Sequence, residues 1–457
     1  MAKDLAPDEA KQVVSHTGQI LSRPVAFRFA LDPTREQAAR FFAHAGAARV
    51  AFNHHLARVK ANLDQREAER SYGIAEKDLT PALSWSKVSF INEFNAWKNG
   101  KLASSPVAED GTRGLRWRHE VSQDVFECAS VNAAQALANF SASRKGTQAG
   151  KTVRFPKFKS RHKTSPSFKL RSKSKPGQTA PIRVAGPKAL RLPTIGEVRV
   201  HGCTKQVRRM LTAGRLHLYG ATLTFERGRW WISLQGIAAQ FHPERRSEKG
   251  RHQVSAGVDR GIKSLAVIAD ADGALLHTVE GVKALRTAEL RLRRANKALA
   301  RTKPGSRGRA KAKQRLTRLH ARVAHLRAHV SHDASYKLAT TLTRLVIEDL
   351  NIGGMTQLRS LAKAVADAAM GELGRRLTYK ANWYGLELVE ADRWFPSSKT
   401  CSGCGALDPD LSLSDRTYRC DACGLVIDRD LNAAINLARW QQPPATAETP
   451  PELPLVA

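Results

Sequence analysis

No stretch of this chain approaches the run of about eighteen apolar residues that a membrane-spanning helix needs. The N-terminus, MAKDLAPDEAKQVV, has neither a signal-peptide core nor a targeting pattern. These absences argue against a membrane or exported protein, and a cytoplasmic chain with a short mobile tail over residues 1–24 is expected. Internal repeats at solenoid periods are missing as well. Cysteine is scarce: of six, four fall between positions 401 and 423, and Cys128 and Cys203 read as ordinary small apolar residues of a reduced compartment. Acid is in deficit, 41 Asp and Glu against 75 Lys and Arg, for a formal net charge of +34. Such an excess repels itself unless a polyanion offsets it, so nucleic acid is the expected partner, and no membrane.

What is present suits a soluble globular class: 457 residues, 42% hydrophobic, enough for roughly two to four domains. The positive charge is concentrated. Residues 283–327 hold sixteen Lys or Arg and a single acid, Glu289. Leu285, Leu292 and Leu299 recur every seven residues there, and Leu316, Leu319, Val323, Leu326 and Val330 follow in steps of three and four. KPGSRG at 303–308 breaks the run. The pattern predicts a helical hairpin with one packed seam and basic outer faces, on which Arg293, Arg294, Lys297, Arg301, Lys311 and Arg315 are candidate phosphate contacts. Mixed charges often only solvate a long helix, but one-sided charge favours a phosphate-tracking face.

Residues 25–31 read as a strand, and Asp32-Pro33 opens a helix to about Leu63. Helices are expected at 86–97 and 120–144, with a polar loop around 99–115. Residues 145–180 contain no acid and interleave basic groups with Phe155, Phe158 and Phe168. Lys157, Lys159 and Arg161 are candidate nucleic-acid contacts there, and the rings are either stacking platforms or core residues of a small sheet. From Ile182 to Ile237 the pattern is of strands with Gly-containing turns, ERGR at 226–229 among them, and a small β-barrel is the natural assembly. Phe241–Arg251 reads as a charged linker, helix is expected over 358–384, and the Pro-rich, acidic tail 442–457 reads as disordered.

Cys401 and Cys404 form one C-x-x-C pair and Cys420 and Cys423 another, with fifteen residues between them, the spacing of a tetrahedral zinc ribbon. Gly405 and Gly424 follow the second cysteine of each pair, where a tight turn exposes backbone N–H groups to sulfur. With four protein ligands the zinc is structural. Three further segments place acids beside apolar runs. Asp259 follows a short strand and leads to an alternating strand, Ser264 to Asp270; Glu348 ends a buried-looking strand; Asp430 starts an alanine-rich helix. Converging carboxylates of this kind can hold two divalent cations, since hard ions such as magnesium prefer oxygen. Asp428 competes with Asp430 and Asp349 with Glu348, and spacing leaves both choices open. Lys399 and Arg429 flank these acids in sequence and are candidates to stabilise phosphate charge, and Asn432 to fix the Asp430 segment by hydrogen bonding.

GVDRGIKSLAV, VIEDLN, WFPSSKTCSGCG and the C-x-x-C-G-x-x-x-DRDLNAAINL run, in that order, resemble the TnpB family of transposon-encoded RNA-guided nucleases and its relatives, the miniature type V CRISPR effectors. FRFALDPTREQAARFF and FPKFKSRHKTSPSF extend the likeness over about residues 25–440. The resemblance implies an α/β multidomain protein. A RuvC-like nuclease domain of the RNase H type would span 249–395 and 427–441, with a zinc ribbon inserted at 396–426. A wedge β-barrel would comprise 25–33 and 146–248, and a helical recognition domain 34–145. It implies that Asp259, Glu348 and Asp430 are the catalytic acids, holding two Mg²⁺ ions, and that the partners are a guide RNA and double-stranded target DNA carrying a short flanking motif. Two other readings remain: an RNA-guided DNA binder that represses without cutting, and a DNA transposase, since RNase H-like folds with three acids host that chemistry too. His332-Asp333 and the insertion at 99–115 depart from the simplest family pattern.

Overall fold

The computed structural model describes residues 22–147, 152–162, 164–173, 179–239, 252–412 and 414–441. Of the tail expected over 1–24, residues 22–24 belong to the first strand; the remainder, the 241–251 linker and the 442–457 tail lie outside the described residues. Contacts divide the chain into two units, Met1–Phe241 and His242–Ala457.

The first unit opens with β1 (Ser22–Asp32) and α1 (Arg35–Ser71). A capping box starts the helix: the Thr34 hydroxyl accepts from Gln37 N, and the Gln37 side chain reaches back to Thr34 N. The helix runs eight residues past the expected Leu63, with no glycine or proline before Gly73 to stop it. α2 (Lys87–Lys98) and α3 (Gln123–Arg144) follow. Then come β2 (Ser167–Arg171), β3 (Arg183–Gly186), β4 (Ala189–Leu192), β5 (Gly196–His201), α4 (Lys205–Thr212), β6 (Leu216–Glu226) and β7 (Arg229–Ala239). The strands form one sheet in the order β2-β6-β7-β1-β5-β4-β3, every pair antiparallel. The β6–β7 turn has Arg227 at φ 52° and Gly228 at φ 82°, both left-handed as a two-residue hairpin requires. α4 lies between two of the expected strands, in place of the expected Gly-containing turn. The three rings at 155, 158 and 168 divide. Phe168 is core, 6.1 Å from both Phe41 and Trp230, Phe155 packs edge-on to Phe140, and Phe158 is exposed.

The second unit begins with β8 (His252–Asp259), β9 (Ser264–Asp270) and β10 (Leu275–Glu280). The basic hairpin follows as α5 (Ala284–Ala300) and α6 (Arg307–Thr341). Leu292 and Val323 are buried in its seam, whereas Leu326, expected there, is exposed. β11 (Leu342–Glu348) leads to α7 (Ile352–Met355), α8 (Ala362–Ala368), α9 (Met370–Tyr384) and β12 (Glu387–Ala391). The single helix expected over 358–384 is broken at Ala369, which is left-handed at φ 58° and lets α8 and α9 diverge. The short hairpin β13 (Thr417–Arg419) and β14 (Val426–Asp428) precedes α10 (Arg429–Arg439).

The sheet runs β10-β9-β8-β11-β12, antiparallel from β10 to β8 and parallel from β8 through β11 to β12. β9 does not alternate as expected: all but its last residue are buried, because both faces are covered. Ala266 and Ile268 join the core with Leu338 and Leu373, while Val267 and Ala269 pack on Ala434 and Ile435 of α10. The helix lies this close to the sheet because β8 offers Gly257. A Cβ there would collide with the backbone of Ala434 and Ala438 and stand 2.7 Å from Leu437 Cβ. Gly257→Ala is therefore expected to destabilise the second unit by about 1–3 kcal/mol, as overpacking does, seen as a lowered midpoint in chemical denaturation. An unchanged midpoint would mean that α10 can retreat from the strand.

Candidate active site

Register places the first two acids. β8 and β11 are parallel and pair Val258 with Ile347, so Asp259 and Glu348 are the next residues at the same ends of adjacent strands. The third comes from α10, whose N-cap is Asp428, accepting from Asp430 N at 3.0 Å and Leu431 N at 3.2 Å. Asp428 is thus spent on capping, with Lys263 Nζ 3.6 Å away, and Asp430, one residue into the helix, is the buried one. Asp349 is likewise occupied, 2.5 Å from Arg393 Nη2.

The three carboxylates feel one another. Burial pushes the Asp259 carboxyl well above its ordinary range, the negative charges of Glu348 and Asp430 push it further, and Arg429 and Arg260 pull it back in part. Burial also raises Glu348, against a hydrogen bond from Ser397 and the charge of Arg260, with Asp430 adding to the rise. Arg260 is buried, and its Nη2 donates to the backbone carbonyl of Glu348, so the residue after the first acid holds the end of the strand bearing the second. Arg429 Nη2 stands 3.4 Å from Asp430 Oδ1, with its Nη1 on the Ser412 carbonyl at 3.3 Å. Lys399 turns away, its ammonium on the carbonyl of Pro409.

The four cysteine sulfurs all lie within 4.8 Å of one another, the set among the described residues drawn together so tightly. Cys401 and Cys423 are 3.6 Å apart, as are Cys404 and Cys420, close to the edge of about 3.8 Å of a tetrahedron with zinc–sulfur bonds of about 2.3 Å. Gly403 N donates to Cys401 Sγ at 3.3 Å, and Gly405 and Gly424 adopt φ of 79° and 73°. The donor set fits structural zinc.

The metal module is fastened to the acids by Asn432 and by two side chains that the sequence did not single out, Asn436 and Ser397. Asn432 Nδ2 donates to the Thr400 carbonyl at 2.7 Å and its Oδ1 accepts from Ser402 N at 2.9 Å. One turn on, Asn436 Nδ2 donates to the carbonyls of Ser397 (2.8 Å) and Thr400 (2.6 Å). Ser397 Oγ then donates to Glu348 Oε1 at 2.6 Å. Asn432 therefore fixes the cysteine knuckle onto α10 rather than Asp430 itself. The i, i+4 spacing of the two asparagines on one helix face was the available signal for Asn436.

The candidate contacts on the hairpin, Arg293, Arg294, Lys297, Arg301, Lys311 and Arg315, are all exposed, and Glu289, the lone acid, is engaged by Lys363 at 2.8 Å and Arg293 at 3.5 Å. In the first unit Lys157 and Arg161 are exposed. Lys159 is not free for phosphate: its ammonium sits 3.8 Å from the centre of the Phe52 ring, and its backbone is clasped by the Asn53 amide.

Replacing Asn432 or Asn436 by alanine leaves buried carbonyl and N–H groups unpaired, a loss of about 1–3 kcal/mol each. The expected result is a lower unfolding midpoint together with faster loss of bound zinc to a chelator. Zinc release at the wild-type rate would show that the knuckle stands without α10.

Three family models match the chain: "Cas12f1-like, TNB domain" over residues 371–437, "Probable transposase" over 240–359, and "Helix-turn-helix domain" over 25–68. The last covers residues that here form β1 and one continuous helix of 37 residues. The chain is 34% identical over 427 residues, 92% of its length and 87% of the relative's, to "Putative RNA-guided DNA endonuclease Rv2885c" of Mycobacterium tuberculosis. It is 30% identical over 418 residues, 90% and 88% of the two lengths, to a "Putative RNA-guided DNA endonuclease" of Streptomyces pristinaespiralis. Among solved structures, "Cryo-EM structure of CRISPR-Cas12f Ternary Complex" aligns with a TM-score of 0.33 at 15% identity, covering 89% of this chain and 82% of that one. Kinship along nine-tenths of the sequence makes this chain a member of the TnpB family.

Proposed function

We propose that this protein is an RNA-guided DNA endonuclease whose hydrolytic site is Asp259, Glu348 and Asp430. The observation that carries the reading is the convergence of these acids from two parallel strand ends and a helix start, with Asp259 made harder to ionise by burial and by Glu348 and Asp430, and Glu348 by burial and by Asp430. The sheet order, three antiparallel strands continued by two parallel ones, suits a RuvC-like domain of the RNase H type. In this reading the seven-stranded sheet of the first unit is the wedge, with α1, α2 and α3 as its helical recognition insertion. Guide RNA lies along the exposed arginines and lysines of the α5–α6 hairpin and pairs with target DNA next to a short flanking motif.

Hard oxygen donors at a buried, electrostatically strained position fit Mg²⁺, and Asp259, Glu348 and Asp430 would hold two such ions. At these residues such ions would supply a lowered water pKa and offset charge on the departing oxygen. The protein's own share is orientation. Ser397 fixes one oxygen of Glu348, Arg260 holds the strand end beneath it, and Arg429 offsets charge beside Asp430. The cysteine site, with all four positions taken by protein, takes no part in the hydrolysis. A guided binder that does not cut finds no support in an acid set that is complete. The transposase description matched by residues 240–359 is compatible with the same acids, and dependence on RNA separates the two.

The test is to sequence the RNA that co-purifies with the protein expressed beside its native flanking DNA, then assay cutting of matched targets. One abundant RNA with a constant scaffold, and Mg²⁺-dependent cutting directed by its variable end, is expected. Asp259→Ala, Glu348→Ala and Asp430→Ala should abolish cutting with RNA retention unchanged, and Ser397→Ala should lower it about 10–100-fold. Cutting by Asp259→Ala at the wild-type rate would overturn the site, and random RNA lost in high salt would overturn guidance.

Raised carboxyls also set the pH behaviour. Because the folded values of Asp259 and Glu348 lie above their unfolded ones, the metal-free folded state binds more protons between the two, and its stability falls as pH rises through that window. Cutting runs the other way, failing as pH drops and the acids protonate. Asp259→Asn should flatten the stability profile of the metal-free protein, measured by thermal unfolding across pH.

A further inference from the structure

Of the eight tryptophans, Trp394 is the one that stands exposed, at 84% of its full surface. A single exposed apolar residue needs no explanation by itself. Its surroundings do, because the backbone that carries it is held on every side. Trp394 N donates to Asp392 Oδ1 at 2.8 Å and Phe395 N to the Asp392 carbonyl at 3.1 Å. The next ring, Phe395, packs inward with Val346, Ala391 and Leu437. Before it, Arg393 pairs with Asp349, the residue after Glu348; after it, Ser397 hydrogen-bonds Glu348 itself. The indole is thus held out in solvent between the two residues that grip the acid-bearing end of β11.

Resting on the nuclease reading above, we propose that Trp394 is a base-stacking residue that seats the strand being cut. The acids act on a phosphodiester, and what flanks a phosphodiester in single-stranded DNA is a base with an apolar face. When a guide RNA chooses the target, the protein's grip at the cut must accept any sequence. Hydrogen bonds to base edges discriminate between bases, whereas a stacked indole does not. A ring on a fixed backbone also loses little entropy when a base settles on it. Trp394 therefore positions the scissile phosphate over the acids and contributes chiefly to strand binding.

The experiment uses RNA-loaded wild type, Trp394→Ala and Trp394→Phe in single-turnover cutting of matched target, with an abasic site walked through the cut region of the displaced strand. Trp394→Ala is expected to raise the concentration of target for half-maximal rate roughly 5- to 150-fold, the range of one lost base–aromatic stack, with its unfolding midpoint unchanged. Trp394→Phe should recover most of the loss. Wild type should show one abasic position with a comparable penalty, and that penalty should vanish in Trp394→Ala. If Trp394→Ala matches wild type in concentration dependence, or keeps the abasic penalty, the stacking role is overturned while the nuclease reading stands. If wild type itself does not cut, the nuclease reading fails and this inference with it.

Discussion

Three carboxylates that repel one another are held at one edge of the second unit, and much of that unit is arranged to hold them there. The parallel register of β8 with β11 sets Asp259 beside Glu348. Gly257 removes the one Cβ that would keep α10, and Asp430 with it, off the sheet. Arg260 and Arg429 supply partial compensation without forming a tight ion pair with all three. A fold selected for stability alone would replace such a cluster with apolar residues of similar volume. Buried carboxylates whose ionisation is opposed in this way make the cluster a candidate functional site.

The cysteine module is a mechanical part of the same arrangement. Its sulfurs leave no open ligand position, so its influence must travel through structure. The route is short: the knuckle at Thr400 and Ser402 is tied to Asn432 and Asn436, and the same loop sends Ser397 to Glu348. A ribbon inserted between β12 and α10 thereby braces two of the acids at once, one through the helix that bears Asp430 and one through a hydroxyl. Loss of a metal from the cysteines would therefore be felt at the acids through these hydrogen bonds, as loss of zinc from a small domain is felt in its folding.

The parts legible in the sequence were those fixed by local chemistry. Paired C-x-x-C spacing announces a tetrahedral sulfur site, a Pro-Gly break divides a basic helical run, and a two-residue Arg-Gly turn closes a hairpin. Choices that depend on non-local pairing were not legible. Nothing in the spacing separated Asp430 from Asp428 or Glu348 from Asp349, because the difference lies in which carboxylate caps a helix and which meets an arginine 44 residues away. The alternation expected of β9 failed because helices cover both of its faces. Ala369 breaks a helix with a residue that favours helices, a case of tertiary packing overriding propensity. Lys159 carries the charge of a phosphate contact in sequence, but its ammonium packs on the Phe52 ring of a distant helix.

The charge distribution follows one logic at two scales. Over the whole chain an excess of +34 draws in polyanion, and on the α5–α6 hairpin that excess is exposed and all but unopposed by acid. At the carboxylate cluster three acids meet Arg260 and Arg429, and burial together with neighbouring carboxylates opposes the ionisation of Asp259 and Glu348. On the proposed reading, phosphate contacts on the hairpin would need no metal and would weaken with salt through counterion release, whereas hydrolysis at the acids would need divalent cations to offset their charge. If Asp259, Glu348 and Asp430 are the hydrolytic site, binding along the hairpin and hydrolysis at the acids would answer to separate variables, salt for the first and divalent cation for the second.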